Sequence, residues 1–374
     1  MSTKAMVLLI DGARAEYLTP EYAPNLNRLA ATANGFAKVV TGQMPSVTNV
    51  NHASILTGTP PAINGINGNV FFDPATQTET FIESPKYLKA PTIFTKLAQQ
   101  HLDSALLTVK GKIDQVFGTD ATYRINAEAA DSTLLTAIGA SLPPEINSLA
   151  SGQWVVKTAK QLIATKSPAF VYATTNDYVM HHYAPNQPEA QAFIRGIDEQ
   201  LAAIHALEPE RTIYVIADHG MQAKPTLLNL ERLLATHALT THVVLPLADR
   251  YLKNHAYQES GTAYIYVPKA TDLAPVKKVL QQTAGVEQVL TRQAAAAQYQ
   301  LDAQRIGDLV VLGTADTAFG LTPTPRLTNY PGRSHGSLHE LTVPLFCITP
   351  AAMDATTFTR SRDIFSHLLD QFRG

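Results

Sequence analysis

Residue types that ligate divalent metals recur at five places in the chain: Asp11, the hydroxyl-rich segment around Thr48, Asp177 with His181, the adjacent pair Asp218-His219, and His335. A divalent ion draws carboxylate and imidazole ligands from separate parts of a fold. Taken singly, an Asp after a strand reads as a helix cap and a lone His as surface decoration. Together the five segments point to a two-metal hydrolase.

The segments that carry these residues have the form of strands meeting a site. Lys4-Ala5-Met6-Val7-Leu8-Leu9-Ile10 is an apolar run that predicts a buried strand, and Asp11-Gly12 follows it directly. Arg211-Thr212-Ile213-Tyr214-Val215-Ile216-Ala217 repeats the arrangement before Asp218-His219-Gly220. In parallel α/β sheets the carboxyl ends of strands are where ligands bind. Asp177 and His181 follow the run Ala169-Phe170-Val171-Tyr172-Ala173 and are four residues apart, so a helix opening there places both on one face. That offset favours His181 over His182 as a ligand. Ser46 and Thr48 lie at an expected helix start, where backbone N–H groups and the helix dipole stabilise a phosphoryl group. Either hydroxyl can instead serve as a helix cap. As a nucleophile it needs activation, because its pKa is too high for unaided attack.

The composition bounds what surrounds this site. A chain of 374 residues with 45% hydrophobic content has enough apolar material for a large α/β core carrying an insertion. The net charge is -2 and there is no basic run, which removes the electrostatic case for nucleic-acid binding. A small anionic substrate would need local positive charge. Cys347 is the single cysteine and lies in an apolar run, so no intrachain disulfide forms. No uncharged stretch of about 18 apolar residues occurs, and no apolar leader precedes the first strand, so the expectation is a cytoplasmic protein without a membrane partner. A homodimer is compatible with the sequence.

Residues 1 to about 220 alternate strand-like and amphipathic segments, which predicts an α/β fold with a largely parallel central sheet sandwiched by helices. Residues 222–330 leave the metal-ligand register and read as an inserted α+β cap, with strands at 262–267 and 308–312 and a helix near 274–284. The expected division is a catalytic core of 1–221 and 331–374 and a cap of 222–330. The region 120–144 has no clear element order and reads as a surface elaboration near the site.

Several ordered motifs carry a family resemblance: Leu9-Ile10-Asp11-Gly12, Met44-Pro45-Ser46-Val47-Thr48-Asn49, Thr57-Gly58 with Pro60-Pro61, Gly68-Asn69-Val70-Phe71-Phe72-Asp73, Asp177-Tyr178 with His181, Ala217-Asp218-His219-Gly220-Met221, and Arg333-Ser334-His335-Gly336. With these the chain resembles the alkaline phosphatase superfamily, within it the nucleotide pyrophosphatase/phosphodiesterase branch, and especially the phosphonoacetate hydrolases. The resemblance implies two Zn2+ ions. One would be held by Asp177, His181 and His335, the other by Asp11, Asp218, His219 and the oxygen of Thr48, which would be the nucleophile.

The resemblance also assigns Lys110 and Lys112 to substrate binding, although two nearby lysines read by themselves as solvated surface charge. Asn69 would donate to a phosphoryl oxygen alongside the Thr48 amide, or else be a turn residue. A phosphonate with a carboxylate carries about two to three negative charges and a diester about one, and paired lysines suit the former. The implied reaction is hydrolysis of the C–P bond of phosphonoacetate to acetate and phosphate through a phosphothreonine. Asn51-His52 instead follows the diesterase branch. A phosphodiesterase or nucleotide pyrophosphatase using the same two-metal threonine site is the alternative, and a metal-stabilised binding protein is a different class again. His52, His182 and His339 match no ligand position and are expected to be supporting residues.

Overall fold

The structure is a computed structural model that describes residues 3–373. Eighteen strands are present among them. The first eight are β1 (Ala5–Leu9), β2 (Phe36–Thr41), β3 (Val70–Asp73), β4 (Thr78–Phe81), β5 (Ser104–Thr108), β6 (Tyr123–Asn126), β7 (Phe170–Thr174) and β8 (Thr212–Ile216). The rest are β9 (Gln222–Ala223), β10 (Thr226–Leu228), β11 (His242–Val244), β12 (Thr262–Tyr266), β13 (Val286–Thr291), β14 (Leu309–Gly313), β15 (Thr317–Phe319), β16 (Arg326–Thr328), β17 (Arg333–Ser334) and β18 (Thr342–Ile348).

Seven strands form the central sheet in the order β2-β18-β8-β1-β7-β5-β6. The run from β8 to β6 is parallel, and β18 lies antiparallel to both β8 and β2, so the sheet is mixed with a parallel majority. Every residue of β1, β5, β7 and β8 is buried. That explains why these strands read as unbroken apolar runs: helices cover both faces and no residue needs to alternate toward water. Helix Leu149–Lys166 packs on β5 and β7 and lies beside helix Pro188–Leu207. Helices Thr48–Thr57, Ile93–Ala98 and Ile364–Arg373 form a second contacting group. Apolar side chains from residues 5–221 and 343–372 meet in one continuous core, to which the segment between β11 and β12 adds Leu247.

The region 120–144 is not only a surface elaboration. Its residues Tyr123–Asn126 pair parallel to β5 as the edge strand of the sheet. The strand is short and exposes Arg124, so its alternation is too brief to stand out in sequence.

Residues between β9 and β17 build separate layers. β11-β12-β14-β13 is an antiparallel sheet, and β10 pairs with β15 and β16. The chain leaves the central layer through β9 and returns through β17, which pair with each other. Hairpin β3–β4 precedes all of this in sequence, yet Val70 and Phe72 share an apolar cluster with Tyr264, Tyr266 and Val310. No helix among the described residues is long and apolar enough to cross a membrane.

Candidate two-metal centre

Three neighbouring strands deliver three aspartates to one edge of the sheet. β1 lies between β8 and β7, so the residues following each of them, Asp11, Asp218 and Asp177, emerge side by side. Asp218 Oδ1 accepts the N–H of Gly12 at 3.1 Å and of His219 at 3.0 Å, which ties two strand ends together. Gly12 has φ of +76°, and an added Cβ would meet Met180 Cβ at 3.2 Å, so this turn favours glycine. Asp177 precedes the short helix Tyr178–His182, which carries His181 inward and leaves His182 exposed. Thr48 is the first residue of a buried helix whose N-cap, Val47, supplies no side-chain hydrogen bond. Its backbone N–H end therefore faces the cluster with partial positive charge.

Two groups of donor atoms result. His219 Nε2 lies 3.4 Å from Asp11 Oδ1, 3.2 Å from Asp218 Oδ2 and 3.4 Å from Thr48 Oγ1. Asp177 Oδ2 lies 3.3 Å from His181 Nε2 and 3.8 Å from His335 Nε2. Ligand atoms of Asp177, His219 and His335 also lie within 4.8 Å of one another, so His219 stands between the two groups. Two ligands about 2.0–2.1 Å from a tetrahedral ion stand about 3.3 Å apart, and most of these separations match that value.

The hydrogen bonding of the histidines fits a metal as well. Nδ1 of His181, His219 and His335 faces the carbonyl oxygens of Arg333 at 2.8 Å, Gly220 at 2.9 Å and Ser46 at 2.7 Å. A carbonyl only accepts, so each Nδ1 carries the proton and each Nε2 presents a lone pair. Those lone pairs face carboxylate oxygens, an arrangement that a divalent cation between them would satisfy. Asp11 Oδ1, Asp218 Oδ2 and His181 Nε2 are buried without a hydrogen-bond partner. Oxygen and imidazole donors in this number suit Zn2+ or Mn2+.

Electrostatics state the same requirement. Burial, followed by the charges of Asp177 and Asp218, pushes Asp11 up to about 8. Burial, with a further contribution from Asp177, pushes Asp218 up to about 7. Burial alone would also raise Asp177, but the Lys110 ammonium and His181 hold it well below the usual carboxylate range. Burial would make His181 harder to protonate, and Asp177 outweighs it to raise the pKa. Burial holds His219 and His335 below the ordinary imidazole value. Lys110 Nζ lies 3.0 Å from Asp11 Oδ2 and 2.7 Å from Asp177 Oδ1, bridging both groups.

The remaining sequence candidates fall around this cluster. Lys112 is buried and paired with Asp249 at 2.9 Å, so it is not a solvated surface charge. Asn69 accepts the Asn49 N–H at 3.1 Å and donates to Leu247 O at 2.8 Å, bracing the start of the Thr48 helix with one amide N–H still to give. His52 is buried against the Tyr172 hydroxyl at 2.8 Å, and His339 pairs with Glu287 at 2.6 Å.

Sequence reasoning missed Asp249, Asn254 and His255, which lie on the segment between β11 and β12. Asn254 donates to Asp177 Oδ1 at 3.2 Å, and the His255 ring lies 5.3 Å from that of His181. That segment has no periodic pattern and follows no core strand, so nothing in its local sequence marks it as part of a site.

Comparison with known proteins places this arrangement among hydrolases. The family model for type I phosphodiesterase / nucleotide pyrophosphatase matches residues 5–338. An uncharacterized pyrophosphatase/phosphodiesterase of Schizosaccharomyces pombe is 28% identical over 58% of this chain and 44% of its own length. Human ectonucleotide pyrophosphatase/phosphodiesterase family member 1 is 25% identical over 58% of this chain and 23% of its own. The chain thus spans less than half the length of these curated relatives.

Phosphonoacetate hydrolase from Sinorhizobium meliloti, solved in complex with phosphonoformate, superposes with a TM-score of 0.87 at 29% identity, covering 99% of this chain and 96% of that one. Murine ectonucleotide pyrophosphatase / phosphodiesterase 5 in complex with AMP has a TM-score of 0.72 at 19% identity over 100% and 95% of the two chains, a likeness of fold.

Proposed function

The chain belongs to the type I phosphodiesterase / nucleotide pyrophosphatase family and is a hydrolase, and on that premise we propose that it cleaves the C–P bond of phosphonoacetate to acetate and phosphate. The observation that carries this reading is the near-complete match to a phosphonoacetate hydrolase together with two lysines, Lys110 and Lys112, buried beside the carboxylate cluster. A monoanionic diester has no need of two such lysines, whereas a phosphonate with a carboxylate does. In this reading residues 1–221 and 331–374 form the catalytic core and 222–330 the cap.

Asp177, His181 and His335 would hold one Zn2+, and Asp11, Asp218, His219 and Thr48 the other. When bound, the two ions supply Lewis acidity that lowers the pKa of the Thr48 hydroxyl and polarises a phosphoryl oxygen.

Thr48 Oγ1 gives up its proton to water and attacks phosphorus, the C–P bond breaks, and the electron pair leaves with the acetate carbon, which takes a proton from water. The N–H end of the Thr48 helix and the spare Asn69 amide N–H stabilise the phosphoryl oxygens as charge builds on them. Lys110, held between Asp11 and Asp177, would supply an ammonium to the substrate anion once those carboxylates served as metal ligands. The resulting phosphothreonine at Thr48 is hydrolysed by water, which returns the free hydroxyl and phosphate. Burial of the cluster excludes bulk water and strengthens each of these charge interactions.

The test is incubation of zinc-loaded protein with phosphonoacetate and, in parallel, with bis-p-nitrophenyl phosphate. Equal amounts of phosphate and acetate with weak nitrophenol release are expected. Efficient diester cleavage with inert phosphonoacetate would overturn the substrate and move it to the diesters of the family.

A further inference from the structure

The segment between β11 and β12 meets the catalytic cluster where Asn254 donates to Asp177, and it holds a buried carboxylate, Asp249, against Lys112. Asp249 Oδ2 lies 2.9 Å from Lys112 Nζ. Its Oδ1 accepts the Tyr251 N–H at 2.8 Å and lies 2.9 Å from His255 Nε2. Gln258 fixes the backbone on both sides, accepting the Asp249 N–H at 2.9 Å and donating to its carbonyl at 2.7 Å. Asp249 and Lys112 are both nearly inaccessible to solvent. This carboxylate is therefore held in place by several donors and is not a surface charge that happens to meet a lysine.

Its charge changes what the pocket can accept. Asp249 pairs with Lys112 as Asp11 and Asp177 pair with Lys110, so Asp249 lowers the net charge of this buried region by one unit. Buried charge is poorly screened, so one unit here shifts which anion is retained.

We propose that Asp249 is a specificity-determining residue: by neutralising Lys112, it shifts the preference of the pocket away from the most highly charged anions and toward those with fewer negative charges. This deepens the hydrolase reading and rests on it only for the location of the substrate pocket. A carboxylated phosphonate would enter as the phosphonate monoanion with its carboxylate.

The experiment measures binding, so it does not depend on turnover. Zinc-loaded wild type, Asp249→Asn and Asp249→Glu are titrated by calorimetry at mildly alkaline pH with phosphonoformate, a trianion, and dimethyl phosphate, a monoanion. Asp249→Asn should tighten phosphonoformate about tenfold more than dimethyl phosphate. Asp249→Glu keeps the charge and should keep the wild-type ratio.

An equal change for both anions in Asp249→Asn, or a ratio in Asp249→Glu that rises as it does in Asp249→Asn, overturns the proposal, because the effect would then come from packing. Parallel turnover of phosphonoacetate and bis-p-nitrophenyl phosphate by the wild type separates the two readings. A diester-only enzyme whose anion ratio still responds to Asp249→Asn would sink the phosphonate reading and keep this one.

Discussion

The imidazole rings of His219 and His335 lie face to face, with centroids 3.5 Å apart and planes within 10° of parallel. His219 precedes β9 and His335 follows β17, and each is oriented by an Nδ1–H donated to a backbone carbonyl. Two imidazolium rings cannot share this buried stack. Burial, then His219 and His181, holds His335 well below its ordinary value, so it offers a neutral Nε2. His335→Ala should therefore lower bound metal by about one ion per chain. Elemental analysis after dialysis checks this, and unchanged metal content would mean that His335 is not a ligand.

Metal binding should release protons. Asp11 is raised to about 8 and Asp218 to about 7, both from an ordinary value of 3.8. A carboxyl whose folded pKa is raised stabilises the fold below its unfolded pKa, and that contribution is lost as pH rises through the folded value. The metal-free protein should therefore lose stability between pH 3.8 and about 8, while divalent metal affinity increases over the same range. Thermal melting with and without chelator, together with calorimetry in buffers of different ionisation enthalpy, reads both effects. Proton release that is absent near pH 6 would contradict them.

Replacing Thr48 by Ala should lower turnover by about a thousandfold or more while leaving metal content near that of the wild type. Rapid acid quench of the wild type should trap phosphate on Thr48. A variant that keeps a substantial rate would remove the threonine from the chemistry.

Lys110→Ala and Lys112→Ala should each weaken phosphonoacetate turnover about ten- to a hundredfold more than aryl diester turnover, because each removes one positive charge from the buried region that would receive the substrate. Comparison of kcat/KM on both substrates decides this. Equal losses would show that the lysines serve the fold or the metals and not the substrate.

Lys224 and Glu340 form a fully buried ion pair at 2.8 Å. Lys224 lies just after β9, and the Glu340 carbonyl accepts the Gly220 N–H at 2.7 Å, so the pair joins the two crossings into and out of the insertion. Lys224→Met leaves a buried carboxylate unpaired and should destabilise the protein by about 3–5 kcal/mol. Denaturant unfolding reads this, and a loss under about 1 kcal/mol would mean that water reaches Glu340.

Much of the site was legible because its residues sit at the ends of strongly patterned segments. Asp11 and Asp218 each follow a fully buried strand, and the four-residue offset of Asp177 and His181 singled out the helix face that turns inward. The edge strand at Tyr123–Asn126 was not legible, since it is short and half exposed. Lys112 read as a surface charge until the fold buried it against Asp249.

What the sequence determined by itself is therefore local: which segments become buried strands, which helix begins at Thr48, and which side chains have the chemistry to bind a metal. Strand and helix periodicity is written in neighbouring residues. The tertiary structure alone decided that β1 lies between β7 and β8, which brings Asp11, Asp177 and Asp218 together across strands about 4.8 Å apart. It also decided that His219 stands between both donor groups and that Asp249, Asn254 and His255 reach the cluster from an unpatterned segment of the insertion. Those contacts depend on strand order and chain crossings between residues far apart in sequence, which no local pattern encodes.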